Sequence, residues 1–241
     1  MASAKVNCTQ MNNSDPAQLQ GVVNLDKPAG PSSAAMVNQI KRLLPRGLKV
    51  GHAGTLDPFA TGVLLILVGK ATRLSESLMN LPKRYGATIK LGATTPTDDP
   101  ESPETVTPGA TPPTAEAIAT AVGKLIGTVQ QVPPVYSAMK VGGRRAYALA
   151  RRGKPPQLAA RPVHIDAIQM VSYEWPYLQL VIDCGRGTYI RAIARDLGAD
   201  LSVGGHLTEL RRLRVGPYTT ENAVSMANLS ASNIAAALVP G

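Results

Sequence analysis

The sequence predicts an α+β domain built on a mixed or antiparallel sheet. Three observations point there. Stretches with strand character outnumber those with helical spacing. The two kinds do not alternate as a wound parallel sheet requires, and no internal repeat runs through the 241 residues. The clearest strand is Val63–Val68, a short apolar run closed by Gly69. Directly before it lies a small, Gly-rich, irregular stretch, GHAGTLDPFATG, with Asp57 placed before Pro58. Proline pushes the preceding residue toward extended backbone, so Asp57 belongs to a loop or turn. A carboxylate on a tight loop anchored by a buried strand presents a reactive group from a rigid scaffold. Spacing alone favours a plain turn aspartate, since Asp before Pro is common in turns.

The remaining elements follow in order. Residues 1–19 are polar, rich in Asn, Ser and Gln, and read as a disordered arm. Gly21–Leu25 reads as a strand ended by Asp26-Lys27-Pro28. Ser32 or Ser33 can cap a helix over Ala34–Leu44, with Pro45 and Gly47 beyond it. Ala71–Leu81 has helical spacing at Leu74, Leu78 and Leu81, and Arg84–Leu91 alternates as a strand does. Residues 95–114, rich in Thr and Pro and carrying acids between Asp98 and Glu104, are expected to form an exposed, mobile loop. Ala115–Ile126 reads as a helix. Val132–Lys154 combines a proline turn with a basic block that ends in a helix near Tyr147–Arg152. Arg161–Tyr173 and Leu178–Asp183 read as strands, and Thr188–Leu197 carries a helical apolar stripe. Leu207–Val215 is mixed, dense in Arg211, Arg212 and Arg214, and Ala223–Leu238 is weakly helical.

Composition limits the function. The apolar content of 44% is that of a globular chain, and no run approaches the roughly eighteen apolar residues of a membrane span. The N-terminus lacks the apolar core of a secretory signal. Cys8 and Cys184 are the only cysteines, fit no metal spacing and suit a reducing, cytoplasmic setting; the three histidines are scattered. No metal site is expected. The net charge is +9, and between Glu116 and Asp166 eight Lys and Arg residues, Lys124 to Arg161, occur with no acid among them. Such a block suits a polyanion. With one Phe and one Trp, base stacking would fall to the seven tyrosines.

The whole string 51–73, GHAGTLDPFATGVLLILVGKATR, resembles the signature of the TruB family of tRNA pseudouridine synthases. Further stretches match the family in order: GVVNLDKPAGPS at 21–32, KRY at 83–85 with KLG at 90–92, VPPVYSAMKVGGRRAYALARR at 132–152, GRGTYIRAIARDLG at 185–198, and GGHLTELRR at 204–212. The resemblance implies a pseudouridine synthase fold, with a curved mixed or antiparallel sheet flanked by helices and loops. The catalytic domain would span 20–216. It also implies isomerisation of the uridine at position 55 in the T loop of tRNA, without cofactor, by a monomer with no obligate protein partner.

By that resemblance Asp57 is the nucleophile, Arg191 its cationic partner, and Tyr189 a catalytic residue that contacts the flipped nucleotide. Tyr85 would stack on the target base, Leu210 would contact the uracil edge, and His52 would help displace bases of the T loop. Lys27 is either a phosphate contact or a structural residue at the sheet edge. Arg144, Arg145, Arg151 and Arg152 are the phosphate-facing candidates. Relatives usually continue into a small RNA-binding PUA domain; the short tail 217–241 is too small for a complete one. The stretch ATTPTDDPESPE at 93–104 departs from the family pattern by lacking its glycine. A guide-RNA-dependent relative and a non-catalytic RNA-binding protein on the same scaffold are the rival readings.

Overall fold

A computed structural model describes residues 19–137 and 139–240, without the side chains of Lys140 and Arg145. The expected disordered arm therefore lies outside the described residues, save for Leu19, which is buried. The first half of the chain gives β1 (Gly21–Lys27), α1 (Ser33–Leu43), β2 (Val50–Ala53), β3 (Thr61–Val68), α2 (Ser75–Asn80), β4 (Lys83–Leu91), β5 (Ala93–Thr94) and β6 (Thr105–Val106). Then come α3 (Ala115–Gly123), β7 (Gly127–Gln131), β8 (Lys140–Val141), β9 (Arg144–Arg145) and α4 (Ala146–Ala150). The last third supplies β10 (Arg161–Glu174), β11 (Tyr177–Cys184), α5 (Ile190–Asp200), β12 (Gly205–Val215), β13 (Tyr218–Thr219) and β14 (Val224–Ser225).

Ten strands form one sheet in the order β14-β1-β3-β12-β4-β11-β10-β7, with β2 also on β3 and β13 also on β12. The β1–β14 and β3–β12 pairs are parallel and the others antiparallel, so the sheet is mixed, as expected. On β4, alternate residues Tyr85, Ala87, Ile89 and Leu91 are buried, and β11 answers with Leu178, Leu180, Ile182 and Cys184. They pack in one core with Met36 and Ile40 of α1, Ile118 of α3 and Ile193 and Leu197 of α5. Strand β3 is apolar throughout because both its faces are covered. Leu64, Ile66 and Val68 enter the main core, while Val63, Leu65 and Leu67 enter a second core with Leu78 of α2. Helix α1 starts where expected, with Ser32 Oγ accepting the Ala35 N–H at 3.1 Å.

Four segments differ from the sequence reading. Leu207–Val215, which reads as mixed, belongs to the long central strand β12. Two register shifts against β4 break its alternation, and Arg212 stands at a buried position. The irregular start of 51–62 includes strand β2, with His52 opposite Ile66. The helix over 71–81 is a 3₁₀ turn, Gly69–Leu74, followed by the short α2. The weakly helical stretch Ala223–Leu238 is strand β14 and two 3₁₀ turns, Met226–Asn228 and Ile234–Ala237. That segment stays on the sheet: Val22 and Val239 exchange both main-chain hydrogen bonds, at 2.9 and 3.0 Å.

Gly62 is required where β3 meets β12. Its φ is +97°, and a Cβ there would lie 2.2 Å from the carbonyl oxygen of Arg212. Neither main chain can retreat, because β3 is held by β1 on its other side. Gly62→Ala is expected to destabilise the fold by ~4 kcal/mol or more, read as a fall in the urea midpoint.

Candidate active site

The loop carrying Asp57 is held by three buried polar side chains, each from a different element. Arg212 of β12 donates to the carbonyls of Gly54 (3.0 Å), Thr55 (3.3 Å) and Val63 (2.7 Å). Ser33 of α1 both donates to Leu56 O and accepts from Leu56 N, each at 2.9 Å. Lys27 of β1 donates to Pro58 O (3.0 Å), Ala60 O (2.7 Å) and Pro28 O (2.8 Å). Main-chain groups from residue 54 to residue 60 are thus pinned, while the Asp57 side chain is left to face the cavity.

Lys27 takes the structural alternative. It is fully buried, and its three N–H groups are spent on three carbonyls, so it is not placed to meet a phosphate. Burial pushes its pKa down to about 8, against the pull of the Asp57 charge, and the ammonium still holds its proton at neutral pH. Lys27→Met leaves those carbonyls unpaired and is expected to cost ~3 kcal/mol of stability. The salt dependence of RNA binding should stay unchanged. A lost phosphate contact would lower that slope by about one unit instead.

Arg191, in the first turn of α5, is 3% exposed and faces Asp57. Its Nε lies 3.0 Å from Asp57 Oδ2, and Nη2 donates to Oδ1 at 3.2 Å. The same guanidinium reaches Asp99 Oδ2 (3.1 Å), Thr97 O (3.0 Å) and Tyr136 O (2.8 Å). Desolvation by burial raises the Asp57 pKa above its ordinary 3.8. Arg191 opposes this, the Asp99 charge adds to it, and the net direction is upward. The Asp57 side chain nevertheless keeps 31% of its surface open, on the cavity side.

That cavity, of about 270 Å³, is lined by Asp57, Tyr85, Tyr189, Arg191 and Leu210, together with Lys83, Arg186 and Arg212 among others. Five residues singled out from the sequence therefore meet around one hollow. They come from a loop (Asp57), β4 (Tyr85), the start of α5 (Tyr189, Arg191) and β12 (Leu210). Tyr85 is 8% exposed, and burial pushes its phenol pKa up, so it stays neutral. His52 is half-buried on β2 and is not among the lining residues. Arg144, Arg151 and Arg152 are exposed on the basic arm 132–154, outside the cavity, and the side chain of Arg145 lies outside the described residues. Arg151 lies over the Tyr147 ring at 5.8 Å.

Three contributors escaped the sequence reading: Asp99, Arg212 and Lys83. The loop 95–114 is largely exposed, as its composition predicts, but three of its acids are engaged. Asp99 is 2% exposed and bound to Arg191, Asp98 pairs with Arg195 at 3.2 Å, and Glu104 pairs with Lys90 at 2.6 Å. The Asp98-Asp99 pair was the available signal, but a charge cluster in a Pro-rich stretch reads first as solvated surface. Among the described residues no group of three or more His, Cys, Asp or Glu is placed to hold a metal ion, and no helix is long and apolar enough to cross a membrane. Cys184 is buried, with its thiol pushed up to about 12 by that burial.

Residues 41–190 match the N-terminal domain of the TruB family pseudouridylate synthases, and residues 191–237 match a tRNA pseudouridylate synthase B C-terminal domain. The seam between the two falls inside the cavity, between Tyr189 and Arg191. Both parts share the sheet, since β12 lies between β3 and β4. A tRNA pseudouridine synthase B of Mycobacterium bovis is 48% identical over 214 residues, covering 87% of this chain and 72% of the relative. A protein of the same name from Aromatoleum aromaticum is 44% identical over 213 residues, covering 88% and 68%. Among solved structures, a chain of a Cbf5-Nop10-Gar1 complex superposes with a TM-score of 0.67 at 31% identity. The match covers 87% of this chain and 53% of that one. The chain belongs to the TruB family of pseudouridylate synthases.

Proposed function

We propose that the protein isomerises uridine to pseudouridine at position 55 in the T loop of tRNA, with Asp57 as the nucleophile. The observation that carries this is the Asp57 carboxylate, held by buried Arg191 at 3.0 Å on the wall of a cavity shared with Tyr85, Tyr189 and Leu210. The reaction breaks the N1–C1′ bond, turns the base and forms a C5–C1′ bond; the C5 proton leaves and N1 ends protonated. Nothing is oxidised and no group departs, so the residues present suffice. A carboxylate nucleophile divides the exchange into easier steps. It must be ionised, and Arg191 favours the anion inside a site that would otherwise neutralise it.

The target uridine is stacked in its loop and has to be extruded, at a cost of a few kcal/mol. Tyr85 offers a ring for it, Leu210 an apolar edge, and Tyr189 a phenol for moving the C5 proton. His52, outside the cavity, would act on neighbouring loop bases. Arg144, Arg145, Arg151 and Arg152 of the arm would neutralise phosphates and set the salt dependence of binding rather than choose the base. The protein would work as a monomer in the cytoplasm, on tRNA, without a protein partner.

The Cbf5 resemblance favours one second reading, in which a guide RNA and partner proteins are needed. The isolated chain, incubated with a bare T-arm stem-loop, separates the two. Product from the chain alone supports the stand-alone enzyme. No product from the chain alone, with product restored by guide RNA and partners, supports the second reading.

A further inference from the structure

Tyr189 stands at the N-terminal cap of α5 with extended backbone, φ −99° and ψ 113°, and has no side-chain cap of its own. What holds it comes from elsewhere. The amide of Gln131, a residue 3% exposed at the end of β7, grips its main chain at two points. Oε1 accepts the Tyr189 N–H at 2.9 Å, and Nε2 donates to Tyr189 O at 3.2 Å. The ring is held as well. The Arg161 guanidinium lies over it, 5.2 Å from the centroid, while its Nη2 donates to Gly187 O at 2.6 Å. Gln131 and Arg161 are direct partners on the antiparallel β7–β10 ladder. One rung of a regular sheet thus fixes both the main chain and the ring of Tyr189.

We propose that Gln131 and Arg161 form a clamp that positions Tyr189 for the isomerisation, and that Gln131 couples this tyrosine to the basic arm. The proposal rests on the reading of Tyr189 given above. A buried side-chain amide bonded to both the N–H and the C=O of one residue ties the two peptide units that flank it and so holds that residue's φ and ψ, and the Tyr189 Cα–Cβ direction follows. The cation over the ring restricts the remaining torsions. Gln131 also ends just where the arm begins. The arm's root is tied to the same helix twice more, through Val132 O to Arg195 (2.8 Å) and Tyr136 O to Arg191 (2.8 Å). RNA that engages the arm therefore pulls on contacts that end at Tyr189 and Arg191. Neither Gln131 nor Arg161 lines the cavity, so both act as positioning residues.

The test measures single-turnover pseudouridine formation and tRNA dissociation constants for Gln131→Leu, Gln131→Glu and Arg161→Met. The Leu and Met variants should each slow the chemical step about 10²-fold while the dissociation constant moves less than about threefold. Gln131→Glu keeps the acceptor for the Tyr189 N–H but loses the donor, and should fall between them and the unaltered protein. In a Tyr189→Phe background, Gln131→Leu should add almost no further loss, because residues acting as a unit are not additive. Losses that multiply fully in the double variant, or unaltered rates in all three single variants, would overturn the clamp. If Gln131→Leu does not fold, Gln131→Glu and Arg161→Met decide the matter alone. An Asp57→Asn protein with full turnover would sink the enzymatic reading instead, so the two failures are distinguishable.

Discussion

Asp57→Asn lowers kcat by about 10⁴-fold or more, while tRNA affinity stays within a few-fold of the unaltered protein. An amide is not a nucleophile, but it fills the same space and leaves the cavity and the arm intact. The stability effect has the opposite sign to the usual mutation. Burial holds the Asp57 pKa above its ordinary 3.8, so the folded protein binds this proton more tightly than the unfolded chain does. The charged form therefore costs stability at every pH above the unfolded value, and that cost is absent in acid. Asp57→Asn should match or exceed the unaltered protein in chemical unfolding at pH 7, and the difference should vanish below about pH 4. The same sign governs the pH–rate profile. Turnover requires the anion, so the acid limb of kcat/KM should lie above the ordinary aspartate range.

Arg191→Met has the larger effect on the fold. It removes a buried cation that binds two carboxylates, Asp57 and Asp99, and two carbonyls, Thr97 O and Tyr136 O. Taking one partner from a buried ion pair costs ~3–5 kcal/mol, because the remaining charges are left facing each other without compensation. Arg191 is also the largest influence lowering the Asp57 pKa, and without it the acid limb should move to higher pH. Turnover should fall steeply at pH 7 and recover partly as the pH is raised. Arg191→Lys should rescue little, since a point charge cannot span four acceptors arranged around a planar fork. A variant with near-normal turnover at pH 7 would show that the Arg191 charge is not needed to keep Asp57 reactive.

The two carboxylates explain why the site could be read only in part. The loop around Asp57 was legible locally, because a proline after it, glycines around it and an apolar strand behind it constrain it, while the role of Asp57 came from the family resemblance. Tyr85, Tyr189, Arg191 and Leu210 were legible through the family resemblance, and they converge because β4, β12 and α5 share one core. Asp99 was not legible. Its partner is 92 residues away, and a buried aspartate has no sequence signature distinct from an exposed one. Arg212 was hidden for a similar reason. An arginine in a cluster of three reads as surface, yet bulges in β12 turn this one inward, where three carbonyls satisfy it. Lys27 shows the same limit from the other side: its motif suggested a phosphate contact as readily as a brace, and only the position of the carbonyls decides. Strands β1, β3, β4, β10 and β11 and helix α1 were easier, because period, caps and turn residues are local properties.

The most direct test of the central claim is position-resolved pseudouridine mapping on a T-arm transcript, using the isolated protein and its Asp57→Asn variant at concentrations where both bind the RNA. The account predicts one pseudouridine, at the T-loop position 55, with the unaltered protein, and none with the variant. Equal product from both proteins would contradict it.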